Sequence, residues 1–167
     1  MKPRIAVLGC GYWGANHIRT LKSLGVLYAV SDANRARAEG FASEQECRAI
    51  DPDDLFRASE VDAVVMALPP QFHAQNAIKA VEAGKHVLVE KPLCRTVDEA
   101  YEVQRAVRES GKLLQVGYVR RYDPGVMMLR EFVERGEFGE LYYAKASTLR
   151  RLGNPGGWFA DAERSGG

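Results

Sequence analysis

An apolar run, Ile5-Ala6-Val7-Leu8, passes directly into Gly9-Cys10-Gly11-Tyr12-Trp13-Gly14, and a second, Leu27-Tyr28-Ala29-Val30-Ser31, ends at Asp32. Few folds accommodate this spacing. A glycine at the first position lets the chain turn sharply out of a strand, one at the second lets backbone N–H groups approach a ligand with no Cβ between, and one at the third lets helix and strand pack closely. A helix starting at about Trp13 aims its unpaired N–H groups and the positive end of its dipole into the same space. Such a turn suits a pyrophosphate, and a carboxylate at Asp32 suits the hydroxyls of a ribose, so the pattern predicts a dinucleotide site. The alternative is a tight strand-to-helix turn with no ligand.

The rest of the chain alternates apolar runs with amphipathic stretches. Asn34 to Ser43 is expected to be a helix, Cys47 to Ile50 a short strand and Asp53 to Ser59 a short helix beside Pro52. Val61 to Leu68 is a mostly apolar run of the kind found in strands buried on both faces, and Pro69-Pro70 ends it. Gln71 to Ala83, stopped by Gly84, predicts a helix, His86 to Val89 a strand, Val97 to Ser110 a helix ended by Gly111, and Leu113 to Gly117 a strand. This alternation specifies right-handed crossovers and an α/β, doubly wound parallel sheet of Rossmann type over residues 1–118. From residue 119 the pattern changes: Gly125 to Arg135 predicts a helix, and Leu141 to Leu149 a long strand opening a second, incomplete α/β domain that runs to residue 167.

Composition narrows the partners. With 23 basic and 22 acidic side chains the formal charge is +1, which offers nothing to nucleic acid or an anionic membrane and leaves a small molecule as the expected ligand. No apolar run approaches a membrane span, and Met1-Lys2-Pro3-Arg4 leads into a strand rather than a signal peptide, so a cytoplasmic setting is expected. Cys10, Cys47 and Cys94 lack metal-site or disulfide spacing and read as small buried side chains. Cys10 stands apart because a helix N-terminus beside it is expected to lower its pKa.

Ligands of open α/β sheets bind beyond the carboxyl ends of the strands. There this chain places Leu68-Pro69-Pro70-Gln71-Phe72-His73 and, one strand later, Glu90-Lys91-Pro92. Pro69 and Pro70 stiffen their turn, and His73 either reaches the cofactor or has a structural role. Lys91, held between Glu90 and Pro92, is placed to donate a hydrogen bond to a carbonyl or to take a proton from an alcohol.

Gly9 to Gly14, Asp32, Pro69 with His73 after it, and above all Glu90-Lys91-Pro92 resemble the Gfo/Idh/MocA family of NAD(P)-dependent oxidoreductases. Arg121-Tyr122-Asp123-Pro124 and Gly136-Glu137-Phe138-Gly139-Glu140 resemble that family's passage into its second domain, as does Ser165-Gly166-Gly167. The resemblance implies hydride exchange between a nicotinamide and a sugar, inositol or related polyol, and homo-oligomers paired through a second, open sheet. It implies that Lys91 is catalytic, that Glu90 lies near the nicotinamide ribose, and that Gly9, Gly11, Tyr12, Trp13, Gly14, Asp32, Pro69 and His73 help to hold the cofactor. Arg121 and Trp158 are expected near the substrate. The bond before Pro92 is expected to be cis, as in the family motif.

Two departures matter. The threonine often found before the first proline of the strand-end motif is Leu68, and the family's segment bearing a catalytic histidine and an aspartate, which follows Ser-Gly-Gly, lies beyond Gly167. The 167-residue chain is therefore expected to bind dinucleotide with weak or no turnover. Asp32 favours NAD because a carboxylate repels a 2′-phosphate, whereas the nearby Arg35 leaves NADP open. Two other readings compete: a non-catalytic nucleotide-binding module, and a methyltransferase holding S-adenosylmethionine in the Val7-to-Gly11 turn. A short-chain dehydrogenase is disfavoured, since no Tyr-x-x-x-Lys occurs.

Overall fold

The computed structural model describes residues 2–149 and 156–165, the side chains of Trp158 and Phe159 excepted. Strands β1 (Ile5–Leu8), β2 (Leu27–Ser31), β3 (Arg48–Ala49), β4 (Ala63–Met66), β5 (His86–Val89) and β6 (Leu114–Val116) form one parallel sheet in the order β3-β2-β1-β4-β5-β6. Between them run helices α1 (Tyr12–Ser23), α2 (Arg35–Glu44), α3 (Pro52–Leu55), α4 (His73–Glu82) and α5 (Val97–Ser110). The strand order reverses between β1 and β4, which opens a crevice above their carboxyl ends.

Side chains alternate across the pleat, so the central strands feed two cores. Ala6, Leu8, Val64, Met66, Val87 and Val89 meet Leu55, Ala77, Ala80, Val81 and Ala106 of α3, α4 and α5 on one face. Val7, Val30 and Val65 meet Ile18, Leu21 and Ala42 of α1 and α2 on the other. Full burial of a side chain such as Ile18 stabilises by about 2–3 kcal/mol. The second face is less completely covered: a cavity of about 510 Å³ remains over β4, β5 and β6, bordered by His17, Leu21, Val65, Leu88 and Gln115.

Helix starts follow side-chain caps. Asn34 accepts from the Arg37 N–H, Asp51 from Asp53, Thr96 from Glu99, and Asp123 from Gly125 at the start of α6 (Pro124–Glu134). Helices α1 and α4 have no side-chain cap; α4 continues from the Pro70–Phe72 turn, whereas at α1 Gly11 occupies the N-cap and the first-turn N–H groups stay available.

Several predicted boundaries shift. Helix α1 begins one residue early, the first turn after Pro69 is a 3-10 turn at Pro70–Phe72 ahead of α4, and α3 starts at Pro52 rather than Asp53 and stops after a single turn at Leu55. The larger correction concerns Leu141 to Leu149: residues 141–149 form no strand and are exposed throughout. Its alternation supplies one apolar face, but a strand also needs backbone partners, and no described residue offers them. The segment 156–165 contains a 3-10 turn, Gly157–Ala160, and one helical turn, α7 (Ala162–Ser165); it touches the main body where Arg95 Nη1 donates to Glu163 O at 3.0 Å.

Candidate active site

The crevice at the strand-order reversal is a cavity of about 680 Å³ lined by Gly9, Gly11, Tyr12 and Trp13 from the first turn, Asp32 and Arg37 beyond β2, Pro69, Phe72 and Asn76 beyond β4, and Glu90 and Lys91 beyond β5. Gly9 adopts φ +94° and packs so tightly that an added Cβ would lie 2.5 Å from Ala67 O. Gly14 supports the turn from behind, with an added Cβ only 1.8 Å from Gly9 O. A Cβ on Gly11 would meet nothing within 4 Å, so this residue leaves open space beside the uncapped helix terminus.

Asp32 closes the far end. Its Oδ2 accepts from the Cys10 N–H at 2.7 Å and its Oδ1 from the Asn34 N–H at 2.8 Å, so the carboxylate anchors the glycine turn as well as facing the cavity. The neighbouring cation is Arg37, with Nη1 3.4 Å from Asp32 Oδ2, whereas Arg35 pairs along its own helix with Glu39 at 2.8 Å. Arg35 is thus a solvated side chain of α2, and the cation beside Asp32 is Arg37, which distance along the chain alone does not single out.

The opposite end holds Glu90 and Lys91, followed by a cis bond to Pro92. Glu90 Oε1 lies 2.9 Å from His17 Nε2 and Oε2 accepts from the Lys91 N–H at 3.3 Å. The Lys91 side chain is exposed to the cavity and forms no ion pair among the described residues.

Other expectations change. His73 does not line the cavity: it is 1% exposed, with Nδ1 2.6 Å from Pro92 O and Nε2 2.7 Å from Leu68 O. It ties the two strand-end loops together from behind, which is the structural role. Burial lowers its pKa, outweighing the two carbonyls, which favour the charged ring. The unfolded chain then takes up the proton first on acidification. His73 therefore contributes stability that is complete above its ordinary value of 6.5 and is lost as the pH falls toward the lower folded-state value. Urea midpoints measured between about pH 7 and pH 5 should fall in the wild type and fall less in His73→Gln; equal slopes would refute the assignment.

The expectation for Cys10 also reverses. Its thiol is buried and beside the Asp32 carboxylate, and burial first, then that charge, push its pKa up to about 12, so it is a packed side chain and not a reactive one. Arg121 lies outside the cavity, its guanidinium 5.9 Å above the Tyr118 ring in the turn Val119–Tyr122. Trp158 falls in the turn Gly157–Ala160, and its side chain lies outside the described residues. Among the described residues no group of histidine, cysteine, aspartate and glutamate side chains could hold a metal.

An uncapped helix terminus, a glycine turn with room for a ligand, and a fixed carboxylate across the crevice fit a dinucleotide. Residues 3–118 match the Gfo/Idh/MocA oxidoreductase family, NAD-binding Rossmann fold. The chain belongs to that family. It is 41% identical over 145 residues to inositol 2-dehydrogenase 2 of Saccharopolyspora erythraea, covering 83% of this chain and 43% of that one. It is 36% identical over 169 residues to scyllo-inositol 2-dehydrogenase (NAD(+)) of Bacillus subtilis, covering 98% and 48%. The crystal structure of scyllo-inositol dehydrogenase from Lactobacillus casei with bound cofactor NAD(H) and scyllo-inositol superposes with TM-score 0.78 at 25% identity, over 84% of this chain and 43% of that one. The chain spans less than half the length of these relatives. Family membership removes the methyltransferase reading. Among the described residues no helix is long and apolar enough to cross a membrane.

Proposed function

We propose that this chain is the nucleotide-binding part of an NAD-dependent dehydrogenase acting on an inositol, a sugar or a related polyol. Residues 1–118 bind the dinucleotide, and those from 119 onward open the substrate and assembly domain. The observation that carries this reading is the meeting of the Gly9–Gly14 turn, Asp32 and Glu90-Lys91 around one cavity. The inositol dehydrogenases among the relatives, and the one whose structure contains NAD(H) and scyllo-inositol, support the substrate class.

The bound nicotinamide supplies the hydride acceptor. The chain's own residues do the rest. First-turn N–H groups of α1 neutralise the pyrophosphate, and Asp32 accepts from the adenosine ribose diol. Tyr12, Trp13, Pro69 and Phe72 present apolar surface along the cavity, and Glu90 would border the nicotinamide ribose, as the family resemblance implies. Lys91 Nζ binds the reacting substrate oxygen and carries its proton. The free cysteines fit a cytoplasmic setting, and self-association through the second domain is the assembly implied by the family.

Cofactor choice tests the reading directly. The 2′-phosphate of NADPH would face the Asp32 carboxylate, with Arg37 half-exposed alongside. Fluorescence titration should give NADH at least about tenfold tighter binding than NADPH, and Asp32→Ser should narrow the gap, since Arg37 then faces the phosphate unopposed. Tighter NADPH binding by the wild type would overturn the NAD assignment. The polyol assignment is checked by NAD reduction with the whole enzyme over a panel of inositols and sugars, and it falls if none is oxidised.

A further inference from the structure

We propose that His17 is a positioning residue for the catalytic end of the cavity: it holds the Glu90 carboxylate, and with it the Glu90-Lys91 segment, in register with the phosphate-binding turn. The inference rests on the NAD reading of that cavity. His17 sits on α1, the helix whose first turn contains Tyr12, Trp13 and Gly14. That helix packs on β1 and β2, whereas Glu90 follows β5, two strands away from β1 across β4. His17 spans the gap.

The contact is specific. Nε2 of His17 lies 2.9 Å from Glu90 Oε1, and the two side chains are 25% and 16% exposed. A carboxylate can only accept, so the imidazole carries its proton on Nε2 and donates it. The second carboxylate oxygen accepts from the Lys91 N–H at 3.3 Å. Gly117, just after β6, closes a further side: a Cβ there would stand 3.3 Å from Glu90 Cδ. The carboxylate thus touches α1, the next residue of its own chain and the end of β6.

On this face of the sheet the cavity of about 510 Å³ lies over β4, β5 and β6, with His17, Thr20 and Leu21 of α1 on its border. A dinucleotide held by the first turn of α1 and reaching Glu90 meets two elements that this hydrogen bond joins. Tyr12 and His17 are separated by about 7.5 Å of axial rise, so a shift of the helix is passed directly to the carboxylate. Without His17, Glu90 is free to change rotamer, and the binding surface beside Lys91 is no longer preorganised.

Nitrogen-15 NMR of the cofactor-free chain, at a pH above the ordinary imidazole range, reads the pairing directly. His17 should be the Nε2–H tautomer, and Glu90→Ala should return it to a mixture. Fluorescence titration should show NADH binding weakened about tenfold in His17→Ala and in Glu90→Ala, with the double variant no weaker than either. His17→Gln, whose amide can donate from nearly the same place, should keep the fold and restore most of the affinity. An Nδ1–H tautomer, additive losses in the double variant, or unchanged NADH affinity in His17→Ala would each overturn the proposal. The tautomer is read without cofactor, so a wild-type chain that binds no NADH overturns the proposed function while the tautomer still decides whether His17 holds Glu90.

Discussion

In the whole enzyme, Lys91→Ala is expected to lower kcat by about a hundredfold to ten-thousandfold while NADH affinity changes by no more than about threefold. The asymmetry follows from geometry. On the proposed reading dinucleotide affinity comes mainly from the uncapped turn of α1 and from Asp32, whereas Lys91 lines the other end of the cavity, where the substrate oxygen is proposed to bind. Lys91→Arg should fail to restore turnover, because a guanidinium keeps the charge but cannot give up a proton. Stopped-flow hydride transfer and equilibrium titration of the same preparations separate the two quantities. Turnover insensitive to Lys91 would remove its catalytic role, and a whole protein that binds NADH but turns over nothing would favour a nucleotide-binding module.

The second large effect is expected at Gly14. An alanine Cβ there would stand 1.8 Å from Gly9 O and 2.8 Å from Gly9 C, and both atoms belong to backbone that Ala67 confines from the other side. Something in the turn must move. We expect Gly14→Ala to cost about 2–3 kcal/mol, lower the melting temperature by about 10 °C and weaken NADH binding by about a hundredfold. Gly11→Ala is the informative contrast. Its Cβ meets no atom within 4 Å, so stability should be unchanged, yet the methyl enters the space beside the helix terminus and NADH affinity should still fall. Calorimetry with parallel titration checks the pair, and a Gly14→Ala protein with wild-type melting and affinity would refute the packing argument.

Much of this site was legible because local patterns encode it. The glycine spacing, the acid after the second apolar run and Glu90-Lys91-Pro92 each occupy a strand end, and strand ends are readable from runs of Ile, Val, Leu and Ala bounded by glycine or proline. Helix α5 and strand β5 matched their predicted limits because Thr96, Gly111 and Gly84 punctuate them. Other features carry no such mark. Arg37 and Arg35 are equally plausible in a list of residues, and only the rotation of α2 puts one beside Asp32 and leaves the other paired with Glu39. Asn76 lies one turn into α4, and nothing in its neighbours announces that it borders the cavity. His73 looked available to a ligand because it follows the proline turn, but the fold turns it inward onto two carbonyls.

The segment Leu141 to Leu149 shows the opposite limit. Alternation there satisfies the side-chain rule for a strand, yet pairing is a property of two segments, and the described structure offers no second one. What the sequence by itself determined is the type and order of the elements in the sheet and the presence of a dinucleotide turn, because burial periodicity and glycine or proline punctuation act over a few neighbouring residues. Only the tertiary structure decided that Cys10 is a buried thiol raised by its surroundings, that Asp32 holds the very turn it faces, and that His17 meets Glu90 from 73 positions away. Those outcomes depend on desolvation and on distances between elements, which sequence spacing does not specify.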